Sequence, residues 1–555
     1  MSRTTILLIC ILAVAFFVRI AGISYGLPMW LVSDEPPFIF GALKMMELRT
    51  LVPALHTAEF GRILYFPPYL SYLYLILFVP VLGLKFLLFS GTLRQFISVT
   101  TLDPSTLFLA GRMLSVMLGT ATVWLAYKIG KNVLAPLEPR AGFAAEAPAL
   151  YSAAFLALSF LHTNFSHWAR HWVPATFFFA LVMYILSRQD VLPRRRYLLA
   201  ALFAGIGAGI NYQAGLSALF IALWFLLYDR LSLKERWVYA SALLFLALVA
   251  IAYALYPGGL VVHAENVVGG AKSIAGFFRG YGFYAKKLVE TEPAFFVFII
   301  AGFVYAFLRK RKFFWVASLF SFAYIAVFYL LFFHMDRYIL MLYPLFALVA
   351  GTGMSDATAW LAARARFLAY GLGAVVFGTM AAGVLRFDTL LIKNDTRVQA
   401  ADWIAANVPQ DKKVVTFARL LRVPATPQAI AEQRGIDPKS LRSADAAAER
   451  LPAELLPQPR FHALNLFDID PNFVAVLPEY MRKNGYAYFM YSHEFADGLG
   501  AVSLLEGLGE NVAAFNGFAD NTDDITNGFG GGLRKMFALK SNGPTMVIKS
   551  LIANR

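Results

Sequence analysis

The stretch Ser33-Asp34-Glu35-Pro36-Pro37 places two adjacent carboxylates directly after the first long apolar segment, Ile6 to Ile23. Carboxylates near a membrane boundary are expensive to desolvate, and they are therefore candidates for function. A second proline-rich stretch, Tyr65-Phe66-Pro67-Pro68-Tyr69, follows further along the chain. We interpret the segment 24–66 as the floor of a catalytic site on the outer face of a membrane.

The composition is that of a membrane protein with a soluble extension. The chain has 555 residues, of which 59% are hydrophobic and 15% charged. Uncharged runs near the roughly 20 residues that a spanning helix needs recur from Ile6 to Leu385. From about Asp388 onward, charged residues, Asn and Gly increase, and no run is long enough to span. We predict a mainly α polytopic membrane domain (1–387) followed by a soluble, extracytoplasmic α/β domain (388–555).

The formal net charge of +15 does not indicate a nucleic-acid partner. Lys and Arg cluster in short loops between apolar segments, as the positive-inside rule expects, and no basic-aromatic recognition motif accompanies them. The first segment contains Arg19 and has no convincing cleavage site, so we expect a retained helix with a cytoplasmic N-terminus rather than a signal peptide. Because Cys10 is the single cysteine, no intrachain disulfide can form.

The topology depends on the apolar run Tyr69 to Phe89. If this run does not cross the bilayer, about eleven spans result and nearly every basic cluster is cytoplasmic. If it crosses, all later clusters become external. We therefore predict that it lies in the outer leaflet, which places the residues named as site candidates below on one outer face. The predicted later spans are Leu107 to Tyr127, Pro148 to Leu161, Trp172 to Leu186, Tyr197 to Ile210, Gly215 to Leu227, Val238 to Tyr256, Ala294 to Leu308, Phe313 to Phe333, Tyr338 to Ala350 and Leu368 to Leu385.

Asp34 and Glu35 allow two interpretations. In the functional one, Asp34 is a general base that deprotonates an acceptor hydroxyl or amine, and Glu35 orients a group or binds substrate. In the structural one, the pair caps a short interfacial helix that we predict from Pro36 to Arg49. The residues alone leave both open.

Cations on the outer side are candidates for binding a phosphate headgroup, because arginine forms fork-like hydrogen bonds with phosphate. For Arg337, an ion pair with Asp336 is an equally good interpretation, and Lys286 and Lys287 are expected to face solvent. The outer-side cations are Arg19, Arg170, Lys272, Arg279, Lys286, Lys287 and Arg337.

His167 and His171 have the i, i+4 spacing of metal ligands. Their spacing fixes no third ligand, and Trp168 and Trp172 alternate with them, so an interfacial aromatic belt is the favoured interpretation. We predict no metal site. Whether a divalent cation assists is left open.

The C-terminal part starts with Asp395, which has the character of an N-cap for a helix through Ala406. A helix is expected between the second and third strands, and Asp520 to Gly532 is expected to be a loop. The predicted strands are Lys413 to Phe417, Phe473 to Leu477, Tyr486 to Tyr491 and Met546 to Leu551.

Six short motifs in order resemble the GT-C membrane glycosyltransferases of the dolichyl-phosphate-mannose protein mannosyltransferase type (glycosyltransferase family 39), including aminoarabinose-transferase-like members. The resemblance covers roughly the first 410 residues. Arg19 near the end of the first helix also matches. The motifs are Ser33-Asp34-Glu35, Tyr65-Phe66-Pro67-Pro68-Tyr69, Ala110-Gly111-Arg112 through Gly119-Thr120, Ser166-His167-Trp168 through Phe178, Arg337-Tyr338 with Pro344, and Asp395-Thr396-Arg397 through Asn407-Val408-Pro409.

This resemblance implies an inverting transfer of a sugar from a polyprenyl-phosphate carrier to a lipid, glycan or protein acceptor outside the cytoplasm. It assigns the base to Asp34, with Glu35 as its catalytic neighbour, in a multi-pass protein of the cell membrane. It implies no nucleotide sugar and leaves open whether a hexose or a pentose is moved. The residues implied on the donor side are Arg19, Arg112, Arg170, Arg337, Tyr65, His167 and Tyr212.

Two positions depart from the family pattern: Trp172 stands where an Asp is usual, and Asn211-Tyr212 where a Lys-Tyr pair is frequent. Two other functions therefore remain in view. A flippase or transporter of lipid-linked sugars would show inverted repeats, and we see no internal symmetry. A non-catalytic relative that binds glycolipids would not need Asp34.

Overall fold

The computed structural model describes residues 2–61, 63–64, 66–134, 143–231, 233–258, 274–308, 312–331, 335–436, 438, 441–466, 471–498, 502–517, 525–527 and 532–552. Its N-terminal part is helical. Short 3₁₀ segments occur at Pro53–His56, Tyr212–Leu216 and Asp336–Leu342, and a π-helical turn occurs at Trp224–Asp229. The α-helices are α1 (Arg3–Ile20), α2 (Pro36–Leu48), α3 (Thr57–Phe60), α4 (Tyr69–Leu87), α5 (Leu93–Leu102), α6 (Ser105–Val133), α7 (Phe143–Ala157), α8 (Phe160–Ser166), α9 (Trp172–Ser187), α10 (Pro193–Ile210), α11 (Ser217–Leu223), α12 (Arg236–Ala254), α13 (Ile274–Thr291), α14 (Pro293–Leu308), α15 (Lys312–Leu331), α16 (Tyr343–Ala362) and α17 (Arg366–Ile392).

The predicted polytopic helical architecture is confirmed. Within the described residues, seven helical stretches are long and apolar enough to cross a membrane, or eight if a bent pair is counted as one span, and three shorter apolar helices accompany them. The predicted count of about eleven spans stays a prediction. The seven stretches are Arg3–Ile20, Tyr69–Leu87, Ser105–Val133, Tyr212–Asp229, Arg236–Ala254, Asp336–Ala362 and Arg366–Asn407.

The bent pair consists of α7 and α8, which meet at an angle of 57° where a single straight span was expected. The chain leaves the first helix after Ala157 and restarts at Phe160. Ser159 caps the new helix, because its side chain accepts a hydrogen bond from the His162 backbone N–H at 3.3 Å. This break brings the segment 159–171 into the interior, next to the loop that contains Asp34.

Residues near both ends of helix α4 contact the first part of helix α6. Near its start, the Tyr74 ring packs against Gly111, where an added Cβ would be 3.4 Å from ring atoms. Near its end, Lys85 Nζ donates to Thr106 Oγ1 at 3.2 Å. The length and hydropathy of α4 would permit a span. Whether Tyr69 to Phe89 crosses the bilayer stays a prediction.

The C-terminal part is an α/β domain, as predicted. Its five-stranded sheet has the order β2-β1-β3-β5-β4. Strand β1 pairs in parallel with β2 and β3, whereas β5 pairs antiparallel with β3 and β4. The strands are β1 (Lys413–Phe417), β2 (His462–Leu466), β3 (Tyr486–Ser492), β4 (Glu510–Phe515) and β5 (Met546–Ser550), and the helices are α18 (Thr396–Asn407), α19 (Pro427–Ile436), α20 (Ser443–Ala448), α21 (Pro471–Lys483), α22 (His493–Gly498), α23 (Val502–Glu506) and α24 (Gly532–Ala538).

One strand prediction is wrong. The run Phe473 to Leu477 belongs to helix α21, not to a strand. Val474, Leu477 and Met481 are buried together, and their spacing of three and four residues is that of one helix face. Strands β2 and β4 were not predicted, whereas β1, β3 and β5 are confirmed. The predicted loop Asp520 to Gly532 lies mostly outside the described residues.

The two parts of the chain are joined by hydrogen bonds. The predicted N-cap is confirmed, since the Asp395 side chain accepts from the Arg397 backbone N–H at 2.8 Å. The other carboxylate oxygen of Asp395 accepts from the Tyr25 hydroxyl at 2.6 Å. Helix α17 continues beyond the predicted boundary at residue 387, to Ile392. The loop between α1 and α2 is therefore held directly against the start of the soluble domain.

Candidate active site

The loop between α1 and α2 is held in place by Arg112 of α6. Its guanidinium donates to both carboxylate oxygens of Glu35, at 2.8 Å from Nε and 2.6 Å from Nη2. Its Nη1 donates to the carbonyl oxygens of Ile23 and Tyr25 at 2.7 and 2.8 Å. Both charged side chains are fully buried. Such a bidentate pair fixes both position and orientation, so Arg112 determines the path of the loop that leads to Asp34.

Glu35 has a positioning role in this structure. Besides Arg112, its carboxylate accepts from the Ala169 backbone N–H at 2.7 Å. Because the side chain is fully buried, it presents no surface to a substrate. The geometry thus argues against the expected substrate contact of Glu35. The Glu35 side chain does not cap α2 either, since Glu35 is the N-cap residue of this helix but forms no side-chain cap hydrogen bond.

Asp34 points the other way and is accessible. Its side chain is 45% exposed and forms an ion pair with the Arg170 guanidinium. The positive charge of Arg170, helped by Arg337 and His171, holds the pKa of Asp34 below its ordinary value, although burial acts in the opposite direction. At neutral pH, Asp34 is therefore an ionised carboxylate that an incoming molecule can reach.

Arg170 connects Asp34 to the soluble domain. Its side chain is fully buried. Its Nη1 donates to the Thr526 carbonyl oxygen at 3.2 Å. Close by, the Asn164 side chain donates to the Ile525 carbonyl oxygen at 2.6 Å. The 3₁₀ segment Ile525–Asn527 of the soluble domain thus lies directly against the candidate site.

Trp172 supports the second arginine of the site. The Arg337 guanidinium carbon lies 5.6 Å from the centre of the Trp172 ring, within the range of a cation–π contact. The ring also packs against Tyr338 at 5.7 Å. No ion pair between Asp336 and Arg337 occurs among the described residues, so the structure does not bear out that alternative. Where the family pattern has an acid, this chain uses an aromatic face to hold a cation near Asp34.

The second departure, Asn211, has a local structural role. Its side-chain oxygen accepts from the Gln213 backbone N–H at 3.0 Å, which closes an Asx turn at the end of α10. The next residue, Tyr212, packs on Phe328 with ring centroids 6.3 Å apart. Its hydroxyl faces Tyr338 and Arg337. Tyr212 is therefore near Arg337, and its predicted role in donor binding stays a prediction.

His171 belongs to the site, although its pairing with His167 suggested only a metal or an aromatic belt. Its ring packs between Phe66 at 4.4 Å, Trp172 at 4.4 Å and Phe38 at 5.0 Å. Its position directly after Arg170 could have indicated this role. Across the described ranges, no group of three or more His, Cys, Asp or Glu residues could hold a metal ion. The predicted site residue Tyr65, next to Phe66, lies outside the described residues.

Arg19 donates hydrogen bonds to backbone carbonyl groups. It is fully buried, and its guanidinium donates to the carbonyl oxygens of Leu156 and Ala157 at 2.9 and 3.0 Å. These are the last carbonyls of α7, which lack partners within the helix because it ends there. Arg19 also contacts His162 Nδ1 at 2.9 Å. The geometry favours a role in fixing the bend between α7 and α8, not the predicted contact with a donor phosphate.

His167 is also occupied by backbone groups. Its two ring nitrogens contact the carbonyl oxygens of Thr163 and Ala21, each at 2.8 Å. This leaves no ring nitrogen for a phosphate. Arg112 is likewise engaged within the protein, because its guanidinium donates to Glu35 and to the loop carbonyls. Of the four arginines predicted on the donor side, the structure brings Arg170 and Arg337 together with Asp34.

Comparisons with known proteins give structural neighbours only. No protein-family model matches the chain, and no curated protein sequence does. Among solved structures, ArnT from Cupriavidus metallidurans is similar in two states. The apo structure has 13% identity and a TM-score of 0.49, and the structure bound to undecaprenyl phosphate has 11% identity and a TM-score of 0.46. In both cases 100% of this chain and 99% of that chain are covered. An Archaeoglobus fulgidus oligosaccharyltransferase tethered to an acceptor peptide with the NVT sequon is similar at 12% identity and a TM-score of 0.44, over 91% of this chain and 72% of that chain. At these identities and TM-scores the comparisons carry no argument about this chain, and the function proposed below rests on its own residues.

Proposed function

We propose that this protein is a membrane glycosyltransferase that moves a sugar from a polyprenyl-phosphate carrier to an acceptor outside the cytoplasm. The observation that supports this most is the juxtaposition of an accessible carboxylate, Asp34, with two arginines, Arg170 and Arg337. A carboxylate can take a proton, and arginines match the geometry of a phosphate. The long apolar helices around them suit a donor with a polyprenyl chain.

The reaction requires one displacement. A hydroxyl or amine of the acceptor attacks the anomeric carbon of the sugar, and its proton passes to the Asp34 carboxylate. The bond between the anomeric carbon and the phosphate oxygen breaks, and its electron pair leaves with the polyprenyl phosphate. Attack from the face opposite the leaving group inverts the configuration. Arg170 and Arg337 stabilise the negative charge that develops on the phosphate.

The ion pair between Asp34 and Arg170 suggests how donor binding prepares the base. Before a donor binds, Arg170 lowers the basicity of Asp34. A donor phosphate competes for the same guanidinium and brings a negative charge near the carboxylate. Both effects raise the pKa of Asp34. Asp34 is thus a weak base until the donor is bound, and it becomes a stronger one when a proton must be accepted.

The acceptor side is proposed from the position of the soluble domain. We place the protein in the inner or plasma membrane, with a cytoplasmic N-terminus and the α/β domain outside. The contact between Thr526 and Arg170 supports an approach of the acceptor along this domain. A lipid, a glycan or a protein would be compatible with this arrangement, and a hexose or a pentose with the donor site.

Sugar transfer in liposomes tests the proposal. Purified protein would be offered a panel of polyprenyl-phosphate sugars, with a membrane extract as acceptor, and the product linkage would be determined by NMR. We expect transfer from at least one donor, with inversion at the anomeric carbon. If donors cross the bilayer and no acceptor is ever glycosylated, the protein is a flippase. If donors bind and are neither moved nor transferred, it is a non-catalytic glycolipid-binding relative.

A further inference from the structure

A cavity of about 710 Å³ lies where the soluble domain meets the loop between α1 and α2 and helix α5. On one side it is lined by Met29 and Trp30 of the loop and by Val99 and Leu102 of α5. On the other side it is lined by residues of the α/β domain. The residues around Asp34 that form the candidate active site do not line it. It has the size of a small-molecule binding site.

Arg460, in the wall of this cavity, is a buried cation with unused hydrogen-bond donors. The residue is only 9% exposed. Its Nε and Nη1 atoms are buried and have no hydrogen-bond partner within the described residues. Burying a charged group without hydrogen bonds is strongly unfavourable. The position is therefore explained best if a ligand supplies an anionic group there.

Of the three arginines that line the cavity, Arg460 is the most buried, whereas Arg422 and Arg442 are half-buried. Arg422, also in the wall, forms an ion pair of 2.5 Å with Asp445. The same carboxylate oxygen accepts from the Arg442 backbone N–H at 2.9 Å. Asp402 and Glu454 line the cavity too, but they are exposed and solvent screens their charges. The buried interior is thus positive, and the rim is acidic.

The rest of the wall is apolar and adjoins the membrane-facing helices. On α5, Val99 and Leu102 face the cavity, whereas Leu93 and Ile97 on other faces are more than half exposed. Phe96 packs on Phe86 at the end of α4 with ring centroids 5.2 Å apart. Helix α5 therefore separates the cavity from the surface on which lipid is expected. A hydrocarbon chain that enters beside α5 would place a terminal anionic group near Arg460.

The cavity is preformed on the side of the soluble domain. Asn465, at the end of β2, accepts from the Val423 backbone N–H and donates to the Val423 carbonyl oxygen, both at 2.9 Å. Gln433 binds the Asn465 backbone in turn, at 3.0 and 3.1 Å. These bonds hold the wall segment that contains Val423 in a fixed position. A preformed site needs little reorganisation when a ligand binds.

We propose that this cavity is a second ligand site, which binds an amphipathic molecule made of a hydrocarbon chain with a single phosphate or carboxylate group. Arg460 binds the anionic group, and the apolar wall that includes Val99 and Leu102 binds the chain. The site does not depend on the transfer reaction proposed above, because its ligand is recognised by groups that take no part in that reaction.

Calorimetry on the full chain in phosphatidylcholine nanodiscs tests this, with dodecyl phosphate as the probe. We expect saturable binding that the Arg460→Gln variant weakens about tenfold or more, as expected for the loss of a charged hydrogen bond. Ala405→Trp places a large side chain at an exposed lining position of α18 and should also abolish binding without disturbing the core. Arg450→Gln, an exposed arginine outside the lining, is the matched control and should bind like the native chain.

Equal binding by the native chain and the Arg460→Gln variant would overturn the proposal. So would equal binding of dodecanol, which lacks the charge, or of inorganic phosphate, which lacks the chain. Nanodiscs doped with phosphatidic acid identify the source of the ligand. If this lipid competes with dodecyl phosphate, the site takes a membrane headgroup with its chain. If it does not compete while dodecyl phosphate binds, the site takes a free amphiphile. Both outcomes support the site itself.

Discussion

Replacing Glu35 by Gln tests the role of the buried pair that positions Asp34. Glu35 and Arg112 have no exposed side-chain area and are joined by hydrogen bonds of 2.6 and 2.8 Å. Removing one charge of a buried pair leaves the other uncompensated, and this typically costs about 3–5 kcal/mol. We therefore expect Glu35→Gln to lower the free energy of unfolding by about that amount. The variant should also lose transfer activity, because the loop before Asp34 is no longer fixed.

Thermal unfolding in detergent, followed by intrinsic fluorescence, measures the effect. The matched control is Glu47→Gln, since Glu47 forms a similar ion pair of 2.8 Å with Lys44 but is 65% exposed. An exposed pair contributes about 0–1 kcal/mol, so this variant should unfold like the native chain. In the double variant Glu35→Gln/Arg112→Met, the uncompensated charge is absent, and the loss should be smaller than the sum of the two single losses. Equal midpoints for Glu35→Gln and Glu47→Gln, or fully additive losses, would refute this account of the loop.

Further predictions concern the donor side. Arg170→Gln and Arg337→Gln should each weaken donor binding by roughly 10- to 150-fold, the equivalent of a charged hydrogen bond of about 1.5–3 kcal/mol, in a titration with a polyprenyl-phosphate sugar; unchanged binding in either would remove that arginine from the site. Trp172→Ala should weaken donor binding by roughly 2- to 30-fold through the lost cation–π contact, and Trp172→Phe by less; the reverse order would contradict the stacking of Arg337. Because the pKa of Asp34 is lowered, its pair with Arg170 is complete above the ordinary value near 4 and is lost only as the pH falls through the lowered value. The contribution of Asp34 to stability should therefore be constant between about pH 5 and 8, and a loss of stability in this window that Asp34→Asn removes would contradict the assignment.

Features set by neighbouring residues were predictable from the sequence. The helix after Asp395 starts where expected, because an N-cap acts on backbone groups two residues away. Strand β1 was recognised from its own apolar, β-branched run. The run Phe473 to Leu477 shows the limit of this approach, since a short apolar run fits a strand or a buried helix face equally well. The helical spacing of its buried residues is seen only when Met481 is considered together with Val474 and Leu477.

Features set by distant contacts were not predictable in the same way. Asp34 and Glu35 are adjacent, and nothing in their order shows that Glu35 is buried while Asp34 stays accessible. That division is made by Arg112 and Arg170, which are 77 and 136 residues away from their partners. Arg19 looked like a phosphate ligand because it is a cation near the outer boundary. The bend between α7 and α8, which provides the carbonyl groups that it binds, is a tertiary feature.

The most direct test of the proposed mechanism compares the native chain with Asp34→Asn in two assays on the same preparation. One assay measures binding of the donor that the native chain uses, and the other measures sugar transfer to the acceptor. Asp190→Asn, which changes an exposed carboxylate paired with Arg188, is the control. We predict that Asp34→Asn binds the donor at least as tightly as the native chain, because Arg170 is released, and that its transfer falls by about 10²-fold or more. Transfer at the native rate by Asp34→Asn would contradict the assignment of the base and, with it, the proposed mechanism.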